Sequence, residues 1–189
     1  MEKKLVEISG LSKSFDDIEV LKDIHLYINE NEFVTLLGPS GCGKTTLLKM
    51  IMGQVSISKG EITFLKDSTL GYLDQVPDYP DGTLVIDILK DALGDLYQMQ
   101  KHLEDLSKDF GHLKGEELEK AMKTYTHVEA EFALKGGYEI DTQIAKVASG
   151  LQISEDMQKM DFALLSGGEK TRVMLGHILL KKPSILLLD

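Results

Sequence analysis

The sequence predicts an α/β fold with an antiparallel β edge subdomain and a helical subdomain, and three observations carry that reading. Residues 5–8 and 24–28 alternate apolar and polar side chains, as half-buried strands do. The nearly all-apolar run Phe33, Val34, Thr35, Leu36, Leu37 leads straight into a glycine-rich turn and a helix-forming stretch. From residue 85 to residue 132, apolar side chains recur at three- and four-residue spacing.

In chain order, 5–8 and 24–28 pair as the antiparallel edge sheet, and 33–37 forms a strand buried on both faces. A helix is expected from 43 to about 52, then short strands over 60–64 and 70–73 around the polar turn Lys66-Asp67-Ser68. Pro77, Pro80 and Gly82 break the chain and separate a β-rich part, 1–80, from a helical part, 83–165. One long amphipathic helix is expected over 85–110, through Ile88, Leu89, Ala92, Leu93, Leu96, Met99, Leu103 and Leu106. A second runs through Leu118, Ala121, Met122, Tyr125, Val128 and Phe132, and the two fold as a helical hairpin whose stripes pack on each other. Glu116, Glu117 and Glu119 mark a helix start, where the dipole favours negative charge. Another helix follows over 141–151. The last part, 166–189, holds a helix to Leu180, then the buried strand 185–188, ending in Asp189.

At 189 residues with 42% apolar content, the chain is expected to form one domain, 1–189. The net charge of −10 argues against a surface that binds nucleic acid by non-specific attraction to phosphates. The single cysteine, Cys42, excludes an intramolecular disulfide framework, and cytoplasm is the expected location. No apolar run approaches the roughly 20 residues that cross a bilayer, so no direct membrane insertion is expected.

Gly38-Pro39-Ser40-Gly41-Cys42-Gly43-Lys44-Thr45-Thr46 follows the P-loop pattern in the required strand-to-helix context. Its glycines let backbone N–H groups converge on phosphate oxygens, and the helix adds its positive end. Lys44 is expected to reach the β and γ phosphates, and the Thr45 hydroxyl to coordinate Mg²⁺. Cys42 is read as a small buried spacer rather than a reactive thiol. Downstream, Leu165-Ser166-Gly167-Gly168-Glu169 places Ser166 as a helix cap followed by two glycines that leave backbone amides accessible.

With the P-loop upstream and 185–189 downstream, this segment resembles the signature of the ABC ATPase superfamily, over essentially the whole chain. The resemblance implies a P-loop NTPase core that binds ATP and Mg²⁺. It implies that Phe15 stacks on adenine and Val20 lines the same pocket. Gln75, in Gly71-Tyr72-Leu73-Asp74-Gln75, matches the Q-loop glutamine that touches Mg²⁺ and the attacking water, and Asp189 matches the Walker B aspartate that holds Mg²⁺. Ser166, Gly167 and Gly168 would contact ATP held by a second such domain, arranged head to tail. The chain stops at Asp189, before the family's catalytic glutamate and switch histidine, so it is expected to be a truncated domain that binds ATP with hydrolysis near background. His177 is read as a surface or packing histidine.

Two branches of the superfamily fit. Only fifteen positions separate Gly60 from Gln75, the 85–132 hairpin sits where ABC-F proteins carry their arm, and 132–138 followed by 165–169 resembles the ABC-F pattern before the signature. That branch acts on the ribosome in translation or antibiotic resistance. The segments 11–15 and 32–44 instead resemble polyamine-type importer ATPases, which couple to a membrane permease.

Overall fold

The computed structural model describes residues 3–16, 18–73 and 76–189, and Gln75 lies outside the described residues. The chain divides into two units, Met1–Gln75 with Lys182–Asp189, and Val76–Lys181.

In the first unit, β1 (Lys4–Phe15) and β2 (Ile18–Asn29) pair antiparallel, and β3 (Lys59–Phe64) pairs antiparallel with the other edge of β1. The central strand β1 and its neighbour β2 thus carry the alternation seen at 5–8 and 24–28, over longer spans than the pattern alone marked. Gly60 is required where β3 passes β1, since its φ is +83° and a Cβ there would strike the Gly10 carbonyl. A second, parallel pair joins β4 (Leu70–Leu73) to β5 (Ile185–Leu188), with Leu70 opposite Ile185 and Leu73 opposite Leu188. Helix α1 (Lys44–Ile51) buries Leu47, Leu48, Met50 and Ile51 against Leu5, Val6, Ile8 and Leu11 of β1 and Ile185 and Leu187 of β5. This cluster fixes the start of α1 relative to the end of β5.

Two expectations fail here. Residues 33–37 form no strand, and Phe33 and Leu37 are 90% and 89% exposed. An apolar run becomes a buried strand only when neighbours supply its ladder and cover its faces. Among the described residues none pairs with it, and a cleft of about 590 Å³ lined by Phe33, Leu36, Leu187 and Asp189 opens beside β5 instead. Strand β5 is likewise buried on one face only: Ile185 and Leu187 point into the core, while Leu188 is 52% exposed.

The second unit is helical: α2 (Val85–Asp91), α3 (Gly94–Asp109), α4 (Glu116–Leu134), a 3₁₀ turn at Gly137–Glu139, α5 (Ile140–Gly150), α6 (Glu155–Gln158), a 3₁₀ turn at Phe162–Leu164 and α7 (Gly167–Leu180). The long helix expected over 85–110 is two helices, broken at Ala92 and Leu93 just before Gly94. Glycine is the residue that most weakens a helix interior after proline, so the break falls where continuation is least favoured. It also lets the apolar stripe serve two partners. Val85, Ile88 and Leu89 of α2 are buried against α7, where a Cβ on Gly176 would lie 3.1 Å from Leu89 Cδ2. Helix α3 packs on α4, with Phe110 and Tyr125 rings edge to face at 5.5 Å. Glu116, Glu117 and Glu119 occupy the first turn of α4. Among the described residues no helix is long and apolar enough to cross a membrane.

Candidate functional site

Residues 38–46 fold as a tight cradle at the start of α1. Gly41 and Gly43 take φ of +81° and +92°, which L side chains rarely adopt, and Gly43 is the N-cap. A Cβ on Gly43 would lie 2.8 Å from Leu21 Cδ2 and 3.2 Å from Val20 Cγ1, so β2 presses directly on the helix start and brings Val20 beside the loop. Leu21 escaped the sequence reading, because nothing in a strand's apolar alternation marks which residue meets a distant glycine. At the other end of the loop, a Cβ on Gly38 would collide with Cys42 Sγ, and the Cys42 amide donates to the Pro39 carbonyl at 3.3 Å.

Lys44 Nζ donates to the Gly38 carbonyl at 2.7 Å and the Pro39 carbonyl at 3.0 Å, and lies 3.5 Å from Cys42 Sγ. The ammonium is thus held over the loop by atoms of the loop itself. Ser40 is exposed and Thr46 is half-buried in the first turn of α1. Cys42 is exposed rather than the buried spacer expected, because its side chain folds over the bare face of Gly38 and not into the core. Thr45 Oγ1 donates to Asp189 Oδ1 at 3.0 Å, joining two of the three residues singled out as metal ligands. Phe15 ends β1, 44% exposed, with Lys13 Nζ 4.9 Å from its ring centroid.

The donor set fits the groups expected of it. Backbone amides at a helix N-terminus, a lysine and a glycine turn too tight for side chains suit a polyphosphate. A hydroxyl and a carboxylate within hydrogen-bond reach are hard oxygen ligands of the kind Mg²⁺ takes. Among the described residues no cluster of three or more His, Cys, Asp or Glu side chains offers a metal another place.

The signature segment lies in the second unit. Ser166 caps α7 through a reciprocal capping box: Glu169 N donates to Ser166 Oγ at 3.4 Å, while Ser166 N donates to Glu169 Oε2 at 2.8 Å. Hydrogen bonds from the Ser166 hydroxyl and then its amide hold the Glu169 carboxyl below its ordinary pKa. A Cβ added at Gly167 or Gly168 would meet nothing within 4 Å, so the first-turn amides stay approachable. His177 is a packing histidine, as expected. It is buried in α7 with Nε2 3.3 Å from Asp91 Oδ2, and burial, with Lys181 nearby, pushes its pKa down despite Asp91.

The family model described as ABC transporter matches residues 21–189. The chain is 31% identical over 98% of its length to an uncharacterized ABC transporter ATP-binding protein, YfmM, of Bacillus subtilis, covering 36% of that protein. It is 28% identical to the tylosin resistance ATP-binding protein TlrC of Streptomyces fradiae, over 97% of this chain and 34% of that one. It is 32% identical to the spermidine/putrescine import ATP-binding protein PotA of Fusobacterium nucleatum, over 100% of this chain and 43% of that one. The chain thus spans about a third of the length of the curated relatives it matches. A solved ATP-binding subunit of an ABC transporter superposes with a TM-score of 0.64 at 19% identity, over 98% of this chain and 65% of that one, a likeness of fold. The family model spans the cradle, the capped glycine helix and the strand ending in Asp189 together: the chain belongs to the ABC transporter family.

Proposed function

We propose that the chain binds Mg·ATP as one nucleotide-binding domain of an ABC-F protein that acts on the ribosome in translation or antibiotic resistance. The observation that carries ATP binding is the 3.0 Å contact of Thr45 with Asp189 beside a glycine cradle topped by Lys44. On this reading Gly38, Ser40, Gly41, Cys42, Gly43 and Thr46 offer backbone and hydroxyl donors to the phosphates, and Lys44 neutralises the β and γ charge. Thr45, Asp189 and Gln75 hold Mg²⁺, while Phe15 and Val20 receive the adenine. Bound Mg²⁺ supplies charge neutralisation on the phosphates. Ser166, Gly167 and Gly168 meet ATP held by a second ABC domain, head to tail, in the cytoplasm.

The branch rests on the α3–α4 hairpin between the Q-loop position and the signature, and on the resistance function in the printed name of TlrC. Sedimentation of the whole protein with ribosomes tests it. ATP-dependent pelleting with ribosomes supports the ABC-F reading. Its absence, with co-purification of an integral membrane permease, supports the alternative, the energy-coupling subunit of an importer, which the 32% identity to PotA favours.

A further inference from the structure

The second unit holds a cavity of about 510 Å³, within the range of small-molecule sites, and no residue assigned above lines it. Its walls carry the rings of Tyr97, Tyr125, Phe132 and Tyr138 and the carboxylates of Glu104 and Asp141, with Lys90 as the one basic side chain. The lining charge is therefore negative by one.

The aromatic walls are set by packing. Phe132 is 3% exposed and sits against Gly137, where a Cβ would strike its ring. Its ring meets Tyr138 nearly at right angles, with centroids 5.1 Å apart. Tyr138 in turn donates its hydroxyl to Glu129 at 2.8 Å, and Gln143 Nε2 anchors the preceding turn on the Gly136 carbonyl at 2.9 Å. Lys90 can balance at most one of the two carboxylates. Among the described ion pairs neither Glu104 nor Asp141 has a partner, and the Glu104 carboxylate accepts the neutral Gln100 amide, at 3.4 Å.

We propose that this cavity binds a small organic cation, an amine or quaternary ammonium group held against the tyrosine faces and balanced by Asp141 and Glu104. Ring faces carry negative quadrupole charge and attract cations that are weakly hydrated, which is how aromatic cages hold quaternary ammonium groups. An anion would meet both the ring faces and the carboxylates with like charge. A strongly hydrated metal ion gains little from rings and finds only two carboxylates.

The test uses tyrosine emission, because the chain has no tryptophan and three of its six tyrosines line the cavity. The intact chain is titrated with choline and, in parallel, with 3,3-dimethyl-1-butanol, its uncharged isostere. The expected result is a saturable change with choline and at least roughly tenfold weaker binding of the isostere. Asp141→Asn and Tyr97→Leu each weaken choline binding by roughly three- to thirtyfold, whereas Glu61→Gln, in the other unit, changes nothing. Far-UV circular dichroism verifies that each variant keeps its helices. If Asp141→Asn does not, Glu104→Gln, at an exposed position of α3, gives the same readout. A linear, unsaturable response, equal binding of the isostere, or indifference to both carboxylate variants overturns the proposal.

Discussion

Thr45 and Asp189, 144 residues apart in sequence, meet through a hydrogen bond of 3.0 Å between a hydroxyl and a carboxylate oxygen. The contact ties the first turn of α1 to the end of β5, and the shared core of Leu47, Leu48, Ile185 and Leu187 sets its geometry. Both residues are exposed, so their contact should add little to the stability of the fold.

Asp189→Asn and Thr45→Ala are accordingly expected to leave the melting temperature nearly unchanged. Each should weaken Mg·ATP binding by about 1–3 kcal/mol, the usual cost of losing a partner in a charged contact. Titrations with Mg·ATP and with ATP in chelator check this: the two affinities converge in the variants.

Gly43→Ala should destabilise the first unit by about 1–3 kcal/mol, because it combines a φ of +92° with a methyl 2.8 Å from Leu21 Cδ2. Gly41→Ala shares the unfavourable φ of +81° but has open space around it, so it should cost less. Urea unfolding of the two variants tests the order.

Ser166→Ala removes the cap of α7 and should cost about 1 kcal/mol. It also removes the hydroxyl hydrogen bond, the larger of the two that lower the Glu169 pKa, and leaves the backbone one in place. A carboxyl with a depressed folded pKa stabilises above its unfolded value of about 4.5, and that stability is lost as pH falls through the folded pKa. Acid unfolding of the variant should therefore be less steep below pH 4.5 than that of the parent.

His177 gives the opposite end of the same argument. Burial lowers its pKa from 6.5, so the unfolded chain binds the proton more readily. Stability is full above pH 6.5 and declines as pH drops from 6.5 toward the folded pKa. Replacing it with glutamine should flatten this part of the stability profile, read by thermal melts from pH 5 to pH 8.

Local signals were legible in the sequence wherever one short segment determines the outcome. The glycine pattern at 38–46 located the cradle, the spacing of Ser166 and Glu169 the capped start of α7, and the alternation of 5–8 and 24–28 the antiparallel pair. Outcomes set by partners were not. The run 33–37 has strand composition but no ladder among the described residues, and β5 covers one face rather than two for the same reason. Periodicity extended a helix through Gly94 because a stripe that changes partner, from α7 to α4, keeps its spacing. The exposure of Cys42 followed from a collision geometry at Gly38 that no spacing encodes.

The most direct test is calorimetric titration of Mg·ATP into this chain and into Lys44→Ala. Lys44 Nζ bonds only atoms of its own loop, so the substitution should leave the fold intact. Saturable one-to-one binding by the parent, weakened by about 1.5–3 kcal/mol or lost in the variant, is the predicted result. Binding of equal strength by both proteins would contradict the placement of the phosphates at residues 38–46.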